Sequence, residues 1–235
     1  MPLTPPKLVT LTGVDDHTSL AECLALARRH PCVEWGILYS PARSGKGGRY
    51  PSPQAAQVFL EGCIERNVAT AVHLCGQAVP DALEGIDPVA MALVTLASRV
   101  QLNFNQRRQP VDLDRIDAFA QRWAKPIITQ LNSANANVHG GLRSPYHRVL
   151  FDASGGRGVR VDSWPSPLPG HQCGYAGGLG PETLVSDLSA IALAAGSREY
   201  WIDMETSLRN GADRFDLDRC AAVLATVDAW TVDPP

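Results

Sequence analysis

Eight short runs of apolar and β-branched residues alternate with longer stretches of helical spacing, and this alternation predicts an α/β fold, a single (β/α)8 TIM barrel. Two further observations agree. The chain has 235 residues, within the roughly 200–250 that such barrels occupy as one unit. No internal repeat, low-complexity tract or linker divides it, so residues 1–235 read as one domain.

The strand segments, in order, are 8–12, 33–39, 68–74, 99–103, 126–131, 148–152, 172–176 and 200–204. Helical spacing fills 19–30, 52–66, 80–85 with a weak extension to 97, 113–124, 181–195 and 215–230. Within 181–195, Leu184, Leu188, Ile191 and Leu193 recur near the helical period and form a face able to cover a barrel strand. Residues 132–146 and 155–171 carry Gly, Pro, Ser and Asn instead. They read as long irregular loops, which in a compact domain are functional or mobile.

With 45% hydrophobic and 19% charged residues, the chain has enough apolar surface for a core and enough polar surface to stay in solution. The net charge of -3 and the absence of a Lys/Arg stripe argue against a nucleic-acid partner. Apolar runs such as 191–196 fall far short of the roughly 20 residues of a membrane span. The six cysteines lack CxxC or zinc-finger spacing, and the opening MPLTPPKLVTLTG carries no secretory signal, so a reducing cytoplasm is expected. His139, His147 and His171 lack the pairing that would mark a metal site. The expected partner is a small phosphorylated molecule bound by a monomer or homodimer, with no metal and no cofactor.

In such a barrel the reacting groups lie at the carboxyl ends of the strands, and phosphate is often held after strands seven and eight. After strand seven stands Ala176-Gly177-Gly178-Leu179-Gly180-Pro181-Glu182. Its glycines let the backbone approach an anion, and Pro181 suits the first turn of a helix whose free N–H groups favour phosphate. A tight turn with a helix cap is the other reading. A second glycine loop, Gly155-Gly156-Arg157-Gly158, follows Asp152 at the end of strand six. Burial at a strand end favours a protonated Asp152, a general acid, unless Arg157 or backbone donors favour the anion; a turn or cap role is the alternative.

Read together, these segments resemble phosphoribosylanthranilate isomerase over nearly the whole chain. Residues 7–14, KLVTLTGV, resemble the family's opening strand and KICG turn. Gly36-Ile37-Leu38-Tyr39-Ser40, then Gly48-Arg49-Tyr50-Pro51-Ser52-Pro53 after a longer connection, resembles its second strand and SPR segment. Val100-Gln101-Leu102 resembles its VQLHG strand, with Asn103 in place of His. Residues 151–158, FDASGGRG, and Asp162-Ser163-Trp164 resemble its aspartate, GGxG loop and FDW turn. Residues 175–182, YAGGLGPE, match its phosphate turn, and residues 202–209, IDMETSLR, sit at its last strand and DVSSGVE loop.

The resemblance implies an Amadori rearrangement without cofactor: an acid protonates the ribose ring oxygen, and a base removes the C2 proton from the resulting imine. Asp152 stands at the acid position, and Arg49 where an arginine meets the substrate's carboxylate. Gly156, Gly158, Gly177, Gly178 and Ser207 stand where phosphate and substrate are held. Thr12 replaces the family's basic cysteine, and its hydroxyl is far too weak an acid to act as a base unaided. His73, Cys75 and Asp15 are the substitutes the sequence offers, although the first two read more readily as a buried structural pair and Asp15 as a helix entry. Glu205 replaces a serine and would repel phosphate unless turned away, with Ser207 and Arg209 to compensate. The expectation is an isomerase acting on a phosphorylated sugar or amino-sugar; the alternative is a barrel that keeps the phosphate pocket without that activity.

Two segments have other readings. Gly45-Lys46-Gly47-Gly48-Arg49 lacks P-loop spacing and reads as a lid able to bring Arg43 and Lys46 over an anion, or as a solvated loop. Asn132, Asn135, Asn137 and His139 after strand five line a polar pocket or serve turns.

Overall fold

A computed structural model describes residues 3–155 and 158–232. Its eight strands close as a parallel barrel in chain order, β1 pairing with both β2 and β8. The strands are β1 Leu8–Thr12, β2 Val33–Tyr39, β3 Ala69–Cys75, β4 Arg99–Asn103, β5 Ile127–Leu131, β6 His147–Asp152, β7 Cys173–Ala176 and β8 Tyr200–Met204. The protein is a (β/α)8 barrel.

The helices are α1 Leu20–Arg29, α2 Pro53–Ile64, α3 Ala78–Glu84, α4 Pro88–Leu96, α5 Leu113–Trp123, α6 Val138–Gly141, α7 Leu184–Ala195 and α8 Leu217–Val232. Ser19, Ser52, Asp87 and Asp112 cap α1, α2, α4 and α5, each accepting from backbone N–H groups of the first turn. The weak helical extension expected as far as residue 97 is a separate helix. Gly85 ends α3 in a left-handed conformation, and Asp87-Pro88 starts α4 with its own cap. Helix α7 begins at Leu184, three residues after Pro181: residues 181–183 form a turn in which the N–H groups of Thr183 and Leu184 bond to the Gly180 carbonyl. Between β5 and β7, the described loop residues hold only the short α6.

Alternation along each strand separates two environments. Val9 and Leu11 of β1, and Val33, Trp35 and Ile37 of β2, belong to the apolar layer between sheet and helices. The other face points to the barrel axis, and there Arg99 of β4 reaches Glu34 of β2 at 2.7 and 2.5 Å and Thr10 of β1 at 3.1 Å. Strands β4 and β1 are not neighbours, so this contact crosses the barrel interior. The Arg99 guanidinium also stacks 4.7 Å from the Trp201 ring, which packs with Ile128 and Leu150. Gly174 makes room for that ring: a Cβ there would lie 2.1 Å from it. The floor of the barrel is therefore an ion pair and an indole rather than the layers of branched aliphatics usual in this fold.

Candidate active site

Above Trp201 the barrel opens at the carboxyl ends of the strands into a cavity of about 210 Å³. The residues that reach it alternate with core residues on their strands: Thr12 of β1, His73 of β3, Gln101 of β4, Gln130 of β5, Asp152 of β6 and Asp203 of β8. The turns after β6, β7 and β8 complete the wall with Gly158, Gly177, Gly178, Leu179, Glu205 and Ser207. The cavity thus joins six of the expected residues: Thr12, Asp152, Gly158, Gly177, Gly178 and Ser207. Gly156 and Arg157 lie outside the described residues.

Asp152 is held at both oxygens. Gln130 donates to Oδ2 and Ser154 to Oδ1, each at 2.7 Å, and Ser154 in turn accepts from the N–H of Gly158. This fixes the carboxyl toward the cavity and ties it to the glycine loop.

Asp203 is the residue that the motif reading passed over. The Thr12 hydroxyl donates to its Oδ1 at 2.9 Å, and its side chain is almost fully buried. Burial pushes its carboxyl up to about 7, with the Thr12 hydrogen bond opposing and the charge of Glu34 adding to the rise. The signal was present in the alternation of β8, which places Trp201, Asp203 and the following Glu205 on one face.

The three substitutes for the absent cysteine separate clearly. Asp15 takes Arg209 at 3.0 Å and the N–H groups of Phe215 and His17, and so pins the loops after β1 and β8 together outside the cavity. Cys75 does not line the cavity either, and burial pushes its thiol up to about 11. His73 does line it. Burial brings its imidazole down to about 4, and its Nε2 lies 3.9 Å from Asp203 Oδ2, without a hydrogen-bond partner.

In the turn after β7, the N–H groups of Gly177 and Gly178 donate no hydrogen bond to any described residue. Successive free N–H groups of this kind make an anion-binding concavity. Gly178 has a φ of +68°, and a Cβ on it would stand 2.7 Å from the backbone of Arg160, which folds over the turn. Ser207 gives its hydroxyl proton to the Leu179 carbonyl at 2.5 Å and so braces the turn. Arg49, expected to receive a carboxylate, lies outside this cavity and instead contacts Glu205 at 2.6 Å and Asp213 at 3.3 Å. That pairing draws Glu205 toward Arg49. Lys46 of the same loop donates to the Ala42 carbonyl, and Arg43 lies over the Tyr50 ring.

Among the described residues no group of three or more His, Cys, Asp or Glu is arranged to hold a metal ion, and no helix is long and apolar enough to cross a membrane.

Fold and cavity define the class: a (β/α)8 barrel whose axial pocket, at the carboxyl ends of the strands, is walled by carboxylates and a glycine turn. Among solved structures the chain is similar to phosphoribosyl anthranilate isomerase from Thermus thermophilus, with a TM-score of 0.65 and 18% identity over 94% of this chain and 98% of that one. It is also similar to TrpF from Jonesia denitrificans, at 0.65 and 14% identity over 97% and 99% of the two chains. Tryptophan synthase from Mycobacterium tuberculosis follows, at 0.62 and 16% identity over 96% and 92%. No family model and no curated protein matches the sequence. At these identities the likeness establishes the barrel.

Proposed function

We propose that this protein is an isomerase that moves a proton between adjacent carbons of a phosphorylated sugar or amino-sugar. The observation that carries the reading is the pair Thr12–Asp203, 2.9 Å apart, in one cavity with Asp152. The position that holds a basic cysteine in phosphoribosylanthranilate isomerase here holds a hydroxyl that orients a carboxylate. Asp203 then takes the base's part: a carboxyl at about 7 is substantially ionised at neutral pH and a stronger base than an ordinary aspartate. Asp152 on β6, two strands from Asp203 and fixed by Gln130 and Ser154, is the acid that protonates the ring oxygen. The free N–H groups of Gly177 and Gly178 receive the phosphate. Opening of the ring gives an imine, Asp203 removes the C2 proton, and the electrons pass into the imine to form an enolamine that becomes the ketose.

A second reading, a ligand-binding barrel without isomerase chemistry, is favoured by one observation: Arg49 is already paired with Glu205 and Asp213. Turnover of phosphoribosyl anthranilate by the purified protein, read by loss of its fluorescence with Asp152→Asn as control, decides between them. Turnover that disappears in Asp152→Asn supports the isomerase. No turnover at high enzyme concentration rules that reaction out.

A further inference from the structure

Strands β3 and β4 bring four polar side chains together in two neighbouring pairs, for the register sets His73 beside Gln101 and Cys75 beside Asn103. Their hydrogen bonds form a chain whose direction is fixed from one end. The backbone carbonyl of His73 can only accept, so the Cys75 thiol, 3.5 Å away, donates to it. The sulfur accepts from Asn103 Nδ2 at 3.5 Å, which turns Asn103 Oδ1 toward Gln101. Gln101 Nε2 donates to that oxygen at 2.9 Å and gives its second proton to His73 Nδ1 at 3.3 Å. Nδ1 of His73 is therefore an acceptor. Burial brings the ring down to about 4 and so keeps it neutral near pH 7. A neutral imidazole carries one proton, and here that proton belongs to Nε2.

This N–H is sealed from solvent and has no hydrogen-bond partner. A buried donor left unpaired is costly, which points to a partner in another state of the molecule. An acceptor within reach is Asp203 Oδ2, 3.9 Å from Nε2. Asp203 Oδ1 already accepts from Thr12, so the acid form of Asp203 carries its proton on Oδ2. Two donors then face each other and stand apart. Once Asp203 is ionised, the same oxygen is an acceptor, and an approach of about 1 Å makes a charge-assisted hydrogen bond. Other charges bear on the pair from the surrounding strands. Glu34 on β2 and Asp152 on β6 oppose ionisation of Asp203, Arg99 on β4 favours it, and Glu205 after β8 acts on His73. None of these donates to Oδ2 or accepts from Nε2 among the described contacts.

We infer that His73 is a positioning residue for Asp203: a neutral imidazole, locked by Gln101 in the tautomer that carries its proton on Nε2, donates to Oδ2 when Asp203 is ionised and stands off when Asp203 is protonated. The inference rests on the reading of Asp203 as the base, and it removes His73 from the candidates for that part. The proton balance follows. The C2 proton passes to Oδ2, its bonding pair enters the imine, and the bond from His73 is released. The imidazole neither gains nor loses a proton. Thr12 and His73 thus hold one oxygen each of the ionised carboxylate.

Nitrogen NMR of the wild type with isotope-labelled histidine rings tests this without any need for turnover, His73→Gln serving to identify the signals. His73 should be neutral and protonated on Nε2 between about pH 6 and 9. Its Nε2 signal should move as Asp203 ionises, and the movement should vanish in Asp203→Asn. A proton on Nδ1, a doubly protonated ring at neutral pH, or an Nε2 signal indifferent to Asp203→Asn overturns the inference. Turnover of phosphoribosyl anthranilate then separates positioning from packing. His73→Phe removes a donor to the anion, so the rising limb of kcat/KM should move up by about one pH unit, with about a tenfold loss below the limb and little above it. His73→Gln, whose amide N–H reaches the place of Nε2, should stay close to the wild type. An equal loss at every pH that His73→Gln fails to recover marks a packing role and overturns the inference. A protein with no turnover whose Nε2 signal still follows Asp203 would fail the reaction assignment and keep the pair.

Discussion

Burial pushes the Asp203 carboxyl up to about 7, while the hydroxyl of Thr12 and the charge of Arg99 act against that rise. If Asp203 is the base, kcat/KM for a substrate it deprotonates should climb as pH passes through about 7. Thr12→Val removes a donor that favours the anion and should move this limb to higher pH; a pH–rate profile of the two proteins checks it. The same group makes stability depend on pH. Its folded value lies above the 3.8 of an unperturbed carboxyl, so the folded state binds the extra proton. Its contribution is fully present below about pH 4 and is lost as pH rises through 7. Asp203→Asn should therefore match the wild type in urea at pH 4 and exceed it at pH 8, by on the order of 2 kcal/mol. Asp152 and Thr12 were legible in the sequence because each ends a strand inside a recognisable segment. Asp203 was not singled out, because what marks it is a partner 191 positions away and its burial, neither of which a local motif carries.

At the scale of elements, the turn after β7 works only with the chain that follows Gly158 folded against it. Alanine at Gly178 would have to hold a φ of +68° and place its Cβ 2.7 Å from Arg160 backbone atoms. Gly178→Ala should cost about 1–3 kcal/mol in denaturant and weaken phosphate binding as the turn is displaced. The order of strands was readable because period-two and helical patterns alternate cleanly, and the break between α3 and α4 was present in Gly85 and Asp87-Pro88, both ordinary helix boundary signals. The delayed start of α7 was hidden. Pro181 is a normal first-turn residue, and the bonds that prolong the turn, from the Thr183 and Leu184 N–H groups to the Gly180 carbonyl and from the Thr183 hydroxyl to the Gly178 carbonyl at 3.2 Å, carry no local sequence signature.

For the molecule as a whole, the polar axis is what the sequence pattern conceals, since a strand of alternating apolar and polar residues ordinarily turns its polar side to water. Here both sides are covered, and Thr10, Glu34, Arg99, His73 and Gln101 are all buried. Arg99→Met would leave Glu34 charged without its partner and should destabilise the fold by about 3–5 kcal/mol, measured by urea unfolding. Two histidines add acid sensitivity. Burial brings His73 down to about 4 and His147 to about 3, so the unfolded chain takes up protons first, and their contribution, present above about 6.5, is lost as pH falls through the folded values. His147→Asn should accordingly lose less stability than the wild type between pH 6.5 and 4. The central claim is that Asp203 does the work of the missing cysteine. The most direct measurement is the rate of phosphoribosyl anthranilate turnover by wild type and Asp203→Asn side by side, the variant keeping an oxygen to accept from Thr12. The account predicts a fall of about a hundredfold or more; turnover by Asp203→Asn at the wild-type rate would contradict it.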